Sequence, residues 1–284
     1  VFIMSVPVSM GTFATYGISA LLSALSLSFK ISFFVGGSAM LLVAFIWLVV
    51  LDTLKRKCAE EKELSDECVN QDTGANEKKK SGLPKGFIAI FSLLAVFAIV
   101  NNFVKDGVTT WMPKILIEKY DLGSAVSTFC TLFLPLFAVF GSFTALTVQK
   151  RTGNYIVSCG VFYLLSTVMI ALVLLFLDLP LWIVTLACFS LVATFMSAVN
   201  NILTSIFPLT YSKSVNAGMV AGLIDGFCYV GSAITTFGLG AVRDVVGGWN
   251  AVFYLLFSIC ALMVVVCLIY LLIKKRKTEK TCKN

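Results

Sequence analysis

Long runs of apolar residues without a single charge restrict what this chain of 284 residues can fold into. Each of six such runs is long enough for a membrane-spanning helix, which needs about 20 apolar residues. Two further runs, from Gly86 to about Pro113 and from Asn216 to Val242, are also long enough but are interrupted by charges. The uncharged runs are Val1–Phe29, Ile31–Leu51, Ser124–Val148, Tyr155–Leu177, Leu181–Tyr211 and Val245–Ile273. The pattern predicts an all-α polytopic membrane protein with eight transmembrane helices.

The composition also indicates a membrane protein and argues against an enzyme. Hydrophobic residues make up 58% of the chain and charged residues 13%, and a soluble protein of this size could not bury so much apolar surface. The chain has no histidine, which removes the commonest metal ligand and general base. Its nine cysteines include no Cys-x-x-Cys pair and are expected to be reduced thiols. We therefore expect neither enzymatic activity nor a cofactor or metal.

The basic residues are distributed unevenly between the two sides of the predicted membrane. Of 22 lysines and arginines, 17 fall on one side, in the insert 55–85, in the tail after Ile273 and at three positions between helices. Because lysine and arginine are retained in the cytoplasm, this side is predicted to be cytoplasmic. The net charge of +7 is then explained by topology and by attraction to anionic lipid, not by nucleic-acid binding. The pattern predicts a multi-pass protein of the cell membrane whose central loop and C-terminus are cytoplasmic.

A polar insert divides the predicted helices into two groups. Residues 55–85 carry eight basic and seven acidic residues with few apolar ones, which is typical of a flexible linker. The predicted parts are two helices in 1–54, the cytoplasmic loop 55–85, six helices in 86–274 and a basic cytoplasmic tail in 275–284. Because the chain begins inside an apolar run, we expect it to be a fragment that lacks upstream helices.

Three stretches in the second group of helices carry a family resemblance. They are NFVKDGVTTWMPKIL (Asn102–Leu116), FPLTYSKSVNAGMVAGLIDGFCYVGS (Phe207–Ser232) and GAVRDVVGGWNAVF (Gly240–Phe253). They resemble the major facilitator superfamily, and within it most closely the organophosphate:phosphate antiporter branch of glycerol-3-phosphate and hexose-phosphate transporters. The resemblance implies two six-helix halves joined by a cytoplasmic loop, of which this chain would supply helices five to twelve. It also implies alternating access, in a protein that is a monomer when full length.

Lys105 is the first candidate for a functional residue. A lysine inside a membrane span costs about 2.5–3.5 kcal/mol, so it usually faces protein or a cavity. In the resemblance, Lys105 occupies the position of the substrate-binding arginine of the antiporter branch. We expect it to face a central cavity and bind an anionic substrate. A structural ion pair and exposure at the membrane interface are the alternatives.

Two aspartates are candidates for coupling or for an ion pair with Lys105. Asp225 lies well inside its apolar run, where it could pair with Lys105, bind a coupling proton or hydrogen-bond between helices. Asp106 directly follows Lys105 and points about 100° away from it on a helix. We therefore expect Asp106 to make an outer-gate contact or to be exposed, and not to share the face of Lys105.

Neutral polar residues near these charges complete the predicted site. Asn101 precedes Lys105 by four residues and so shares its helical face, which favours it over Asn102. Amides at such positions line substrate sites or bond helices to each other, and both alternatives are open. With Lys105, the predicted substrate-binding residues are Asn101, Asn200, Asn201 and Tyr229.

These features predict a secondary transporter of a small organic anion. By resemblance, the substrate is a phosphate ester that is exchanged for phosphate. No ATP-binding motif of the form G-x-x-x-x-G-K-[ST] occurs in the chain, which favours a gradient as the driving force. Two alternatives stay open. One is a membrane sensor that binds sugar phosphate without net transport, and the other is a proton-coupled drug or sugar transporter of another branch of the superfamily.

Overall fold

The computed structural model describes residues 2–25, 29–69, 87–212 and 215–281, and every regular element in these ranges is helical. The elements are α1 (Phe2–Ala24), α2 (Phe29–Val69), α3 (Phe87–Thr109), α4 (Met112–Tyr120), α5 (Ser124–Cys130), α6 (Phe133–Thr152), α7 (Tyr155–Phe176), α8 (Trp182–Asn201), a π-helical turn (Ile202–Ile206), α9 (Phe207–Thr210), α10 (Ala217–Val246) and α11 (Trp249–Thr281).

Seven stretches of the described residues are long and apolar enough to cross a membrane, and α1 adds the shorter apolar helix Met10–Leu22. The seven are Phe33–Leu51, Phe87–Thr109, Ser124–Thr152, Tyr155–Phe176, Trp182–Thr210, Ala217–Val246 and Trp249–Arg276. They coincide closely with the runs that define the predicted helices. The predicted fold class, an all-α polytopic membrane protein, is confirmed.

The predicted flexible linker is wrong for residues 55–69, because α2 continues as a helix to Val69. This segment contains no glycine or proline and is rich in Lys and Glu, which have high helix propensity. Its polarity indicates that it leaves the membrane, not that it unfolds. The rest of the predicted linker, residues 70–85, lies outside the described residues. Similarly, α11 extends through the predicted tail as far as Thr281.

The third helix ends sooner than its apolar pattern predicts. The pattern favours a continuous helix to about Pro113, but α3 ends at Thr109 and a turn at Thr110 and Trp111 leads into α4. In a continuous helix, the ring of Pro113 would clash with the carbonyl group four residues earlier, which belongs to Thr109. In the first turn of α4, the missing N–H of Pro113 costs no hydrogen bond.

The chain forms two compact units that differ from the predicted domains. One comprises Val1–Ala20 together with Gly82–Asn284, and the other comprises Leu21–Ser81. Most of the first helix therefore groups with the later helices. Gly17 of α1 lies near Leu132, the residue before α6, since a Cβ atom on Gly17 would be 3.8 Å from Leu132 Cδ2.

Glycines bring the helices of the first unit into close contact. A Cβ atom on Gly231 of α10 would lie 2.1 Å from the Ile99 carbonyl oxygen of α3. One on Gly141 of α6 would lie 2.4 Å from the Thr194 carbonyl oxygen of α8. Small residues at a crossing let two backbones approach, which is a main source of packing energy between helices in lipid. These contacts define the pairs α3–α10 and α6–α8.

Threonine hydroxyl groups connect the same two pairs of helices. Thr235 of α10 donates a hydrogen bond to the Phe103 carbonyl oxygen of α3 at 2.9 Å. Thr194 of α8 donates to the Phe137 carbonyl oxygen of α6 at 3.1 Å. Each bond lies about one helical turn from the glycine contact of its pair. The glycine contact therefore sets the distance between the two helices, and the hydrogen bond sets their relative rotation.

An ion-pair network holds one end of the first unit together. We call this end the α4 end; it is formed by residues 110–123, 177–181 and 247–248. Nη2 of Arg243 donates to both carboxylate oxygens of Glu118, each at 2.7 Å, and Trp249 Nε1 donates to Oε2 of Glu118 at 2.8 Å. These bonds attach α4 to α10 and α11. They therefore hold α4, which follows α3 in the chain, in place against α10 and α11.

Hydrogen bonds lower the pKa of two carboxyl groups at the α4 end. Lys119 Nζ lies 2.6 Å from Asp178 Oδ1, and its hydrogen bond and charge lower the pKa of Asp178. Desolvation raises the pKa of Glu118, but the hydrogen bonds from Arg243 and Trp249 outweigh it and the net shift is downward. A carboxyl group with a lowered folded-state pKa stabilises the fold above its unfolded pKa. That stabilisation is lost as the pH falls through the folded value.

We expect Gly231→Ala to lower the thermal unfolding temperature of the protein in detergent, because its Cβ cannot fit against Ile99 unless α3 and α10 separate. Overpacking of this kind costs about 1–3 kcal/mol. Gly226→Ala on the same helix is the matched control, since a Cβ atom there would meet nothing within 4 Å. Equal unfolding temperatures for the two variants would contradict the tight crossing.

We expect Glu118→Gln to lower the unfolding temperature by about 2–4 °C near neutral pH, because it removes a charged acceptor of three hydrogen bonds. The deficit relative to wild type should shrink on acidification, since protonation of the wild-type Glu118 weakens the same bonds. The measurement is the unfolding temperature of both proteins from about pH 7 to about pH 3. Asp244→Asn, at an exposed partner of Arg243, serves as the control. A deficit that does not vary with pH would argue against the network.

Candidate functional site

A cavity of about 750 Å³ lies inside the first unit, between α1, α3, α6, α8 and α10. Most of its lining residues are polar, and Leu134 and Pro135 are the larger apolar ones. The lining comprises Thr12 and Tyr16 of α1; Asn102, Lys105, Asp106 and Thr109 of α3, with Thr110 after it; Leu134, Pro135, Ala138 and Ser142 of α6; Ala193, Ser197, Asn200 and Asn201 of α8, with Thr204 and Ser205 after it; and Ala221, Gly222, Asp225, Tyr229 and Ser232 of α10. All of the sequence-predicted site residues except Asn101 belong to it.

Four polar residues of α3 form one face of the cavity. They are Asn102, Lys105, Asp106 and Thr109, at the spacing i, i+3, i+4 and i+7 that places side chains on one side of a helix. Asp106 therefore shares the cavity with Lys105, contrary to the sequence prediction. The angle of about 100° between these neighbours is the width of an ordinary helix face, so one face accommodates both.

The charged groups of the cavity are not paired with each other. Lys105 is half-buried, and within the described ranges its Nζ has no carboxylate oxygen within 4.0 Å. Asp225 is exposed to the cavity and forms neither a hydrogen bond nor an ion pair with any residue that the structure describes. The structural ion pair that the sequence leaves open for Lys105 is therefore not formed with Asp225 or Asp106.

The structure places Asn102, and not Asn101, at the cavity. Asn101 is fully buried; its Nδ2 donates to Asn102 Oδ1 at 3.3 Å, and its Oδ1 has no hydrogen-bond partner among the residues that the structure describes. Asn102 lines the cavity and donates to Ser232 Oγ of α10 at 3.3 Å. The cavity face is centred between Lys105 and Asp106, and Asn101 lies about 90° from that centre. Sequence spacing from Lys105 alone could not locate this centre.

The two predicted asparagines of α8 line the cavity and also bond to neighbouring helices. Asn201 Nδ2 donates to Ser142 Oγ of α6 at 2.7 Å and to the Ser197 carbonyl oxygen at 3.0 Å. Asn200 Oδ1 accepts a bond from Cys228 Sγ of α10 at 3.5 Å. The sequence leaves open whether these amides line a site or connect helices, and in the structure they do both.

Several residues of the cavity lining were not predicted from the sequence. Thr12 and Tyr16 of α1 lie four residues apart, as do Ser197 and Asn201 of α8, and the four-residue spacing of polar side chains in apolar helices is a signal that could have found them. Ser205, four residues after Asn201, continues this spacing, although it lies within the π-helical turn.

The lining can bind a polar or charged molecule without any bound metal. An ammonium group, two carboxylates, and amide and hydroxyl groups face one cavity and can form charge-assisted hydrogen bonds. In the described part of the chain, no group of three or more Cys, Asp or Glu residues could hold a metal ion.

A comparison with protein families gives one match. A family model described as the Major Facilitator Superfamily matches residues 3–236, which is well over half of the chain. The matched region contains the whole cavity lining, from Thr12 to Ser232. No curated protein matches the chain.

We expect a thiol at position 102 to react with a small, charged methanethiosulfonate reagent faster than a thiol at position 101. The variants are Asn102→Cys and Asn101→Cys, and the readout is the rate of modification of the protein in detergent. Wild type gives the background rate to be subtracted, since Cys58, Cys68 and Cys282 lie in polar segments, whereas the six cysteines whose side chains are described are all buried. Faster modification of Asn101→Cys would show that α3 is rotated from the position described.

Proposed function

The chain belongs to the major facilitator superfamily, a family of secondary transporters, and we propose that it moves a small organic anion across the membrane. By alternating access, the cavity would open to one side and then to the other. The proposed substrate is a phosphate ester that is exchanged for phosphate. The observation that carries the proposal is the half-buried, unpaired Lys105 in the cavity lining.

Lys105 supports an anionic substrate because its charge is otherwise poorly compensated. Insertion of a lysine in a span costs about 2.5–3.5 kcal/mol, and an opposite charge nearby normally offsets part of this cost. None of the described carboxylate oxygens lies within 4.0 Å of Lys105 Nζ. An anion would supply that charge through short hydrogen bonds, and the amide groups of Asn102 and Asn200 could bind its other oxygens.

Asp225 and Asp106 support a coupling role for protons. The lining holds two carboxylates and one ammonium group, so an entering anion adds to a negative charge that is already in excess. A proton on one carboxylate would remove that excess. We assign this role to Asp225, because it is the more exposed of the two carboxylates in the cavity lining.

The same two carboxylates favour a second candidate, a proton-coupled transporter of a neutral polar compound such as a sugar. Carboxylates and amides are good acceptors and donors for hydroxyl groups, and the lining is rich in both. An apolar drug fits less well, since Leu134 and Pro135 are the larger apolar residues of the lining. A sensor would bind the same anion and differ from a transporter only in the absence of uptake.

We further propose that the α4 end faces outward in the cell membrane. Lys150 and Arg151 at the end of α6, and Lys274 to Arg276 near the end of α11, are exposed at the opposite end. Cytoplasmic ends of membrane helices carry such residues in excess.

We expect Lys105→Ala to raise the KM for an anionic substrate about 10- to 100-fold, the effect of losing hydrogen bonds to a charged group. The measurement is uptake of labelled glycerol 3-phosphate into proteoliposomes loaded with phosphate. Lys105→Arg keeps the charge and should retain most of the uptake. Lys114→Ala is the matched control, because Lys114 is exposed on α4 and lies outside the cavity.

The outcomes separate the candidates. Normal uptake by Lys105→Ala would sink the anion site. Binding of glycerol 3-phosphate to wild type without uptake would favour the sensor. Sugar uptake that depends on a pH gradient and on Asp225, but not on Lys105, would favour the second candidate.

A further inference from the structure

A π-helical turn interrupts the helix that supplies the asparagines of the cavity. It covers Ile202–Ile206, and the Phe207 N–H bonds to the Ile202 carbonyl oxygen five residues earlier. A π turn holds one more residue than an α turn and is rare, and it often occurs at functional sites. The turn directly follows Asn201 and contains the cavity residues Thr204 and Ser205.

Both ends of the turn are fixed by contacts that do not involve it. Before it, Asn201 is bonded to Ser142 of α6 at 2.7 Å. After it, Phe207 is fully buried, and its ring centroid lies 6.0 Å from that of Phe87, 5.5 Å from that of Tyr155 and 5.1 Å from that of Tyr211. The segment between these anchors thus has one residue more than an α-helix would place there.

The extra residue changes which side chains face the cavity. In an uninterrupted α-helix, Phe207 would lie seven residues after Asn200 and share its cavity-facing side. Ser205 would lie about 140° away from Asn200. From Asn201, which also lines the cavity, Ser205 would lie about 40° away, at the edge of the cavity face. In the structure Phe207 is buried among aromatic rings and Ser205 lines the cavity.

Removal of one residue from the turn, such as Ser205, would restore the α-helical count between the two anchors. Without it, Phe207 would follow Asn200 by six residues and lie about 120° from it in a continuous α-helix, away from the cavity side. Ser205 also differs from its neighbour in its bonding. Thr204 Oγ1 donates to the Asn200 carbonyl oxygen at 2.9 Å, whereas Ser205 Oγ bonds to none of the residues described.

We infer that Ser205 is an inserted substrate-binding residue, which the π turn directs into the cavity with its hydroxyl group free to bond to the substrate. This inference rests on the proposed function, in which the cavity is the substrate site. Ser205 contacts a polar or anionic oxygen of the substrate. The turn is therefore a determinant of specificity as well as an irregularity of the helix.

The test uses Ser205→Ala, a chain with Ser205 deleted, and uptake of labelled glycerol 3-phosphate into phosphate-loaded proteoliposomes. Both variants should raise the KM about 3- to 10-fold, the effect of one lost hydrogen bond. Ser205→Ala should keep an unfolding temperature near that of wild type, because its hydroxyl bonds to none of the residues described. The deletion should unfold at a lower temperature, because it would place Pro208 inside a continuous α-helix. Ser258→Ala is the matched control, since the Ser258 hydroxyl bonds within its own helix to the Tyr254 carbonyl oxygen. Wild-type KM values in both Ser205 variants would overturn the inference.

A second measurement is independent of the substrate. The Ser205→Cys thiol should react with a small anionic methanethiosulfonate reagent faster than the thiol of Leu203→Cys, because Leu203 belongs to the same turn but is fully buried. Equal rates would overturn the inference. If Lys105→Ala loses uptake and the Ser205 variants do not, the inference fails and the proposed function stands. If wild type takes up no glycerol 3-phosphate, the proposed function fails, and the labelling rates decide whether Ser205 faces the cavity.

Discussion

The close approach of α3 and α10 at Gly231 and Ile99 is the contact on which the cavity depends. It sets the distance between the helix that carries Lys105 and the helix that carries Asp225. The Thr235 hydrogen bond to α3 sets their relative rotation. A rotation of α3 by one residue would bring Asn101 to the cavity and turn Asp106 away from it. The chemistry of the site is therefore determined by backbone packing outside it.

Charged residues have different surroundings in the two parts of the first unit. At the α4 end, Glu118 and Asp178 each lie within 3 Å of a basic side chain, and their contacts stabilise the fold. In the cavity, Lys105 and Asp225 have no such partner among the described residues. An unpaired charge in a membrane protein must be compensated by water or a ligand. That difference favours a structural role for the first group of charges and supports the binding role proposed for the second.

The helices could be predicted from the sequence because an apolar run of sufficient length has few alternatives in a bilayer. Charges and amides inside apolar runs predicted Lys105, Asp225, Asn200 and Asn201, and helical spacing from Asp225 predicted Tyr229. Periodicity predicts which residues of one helix point the same way. It does not give the rotation of a helix relative to its neighbours, which is why Asn101 was favoured over Asn102. Composition also gave a wrong prediction for residues 55–69. Their polarity indicated a flexible linker, whereas their helix propensity favours the helix that the structure shows.

The π turn has a consequence for how this cavity can change during evolution. A point mutation in a packed helix replaces one side chain and leaves all the others in position. The gain or loss of one codon normally rotates everything that follows it. Here the anchors at Asn201 and Phe207 confine the rotation to five residues. A single insertion or deletion in this turn would therefore alter the binding groups and leave the surrounding core intact, which makes it a local route to new substrate preferences.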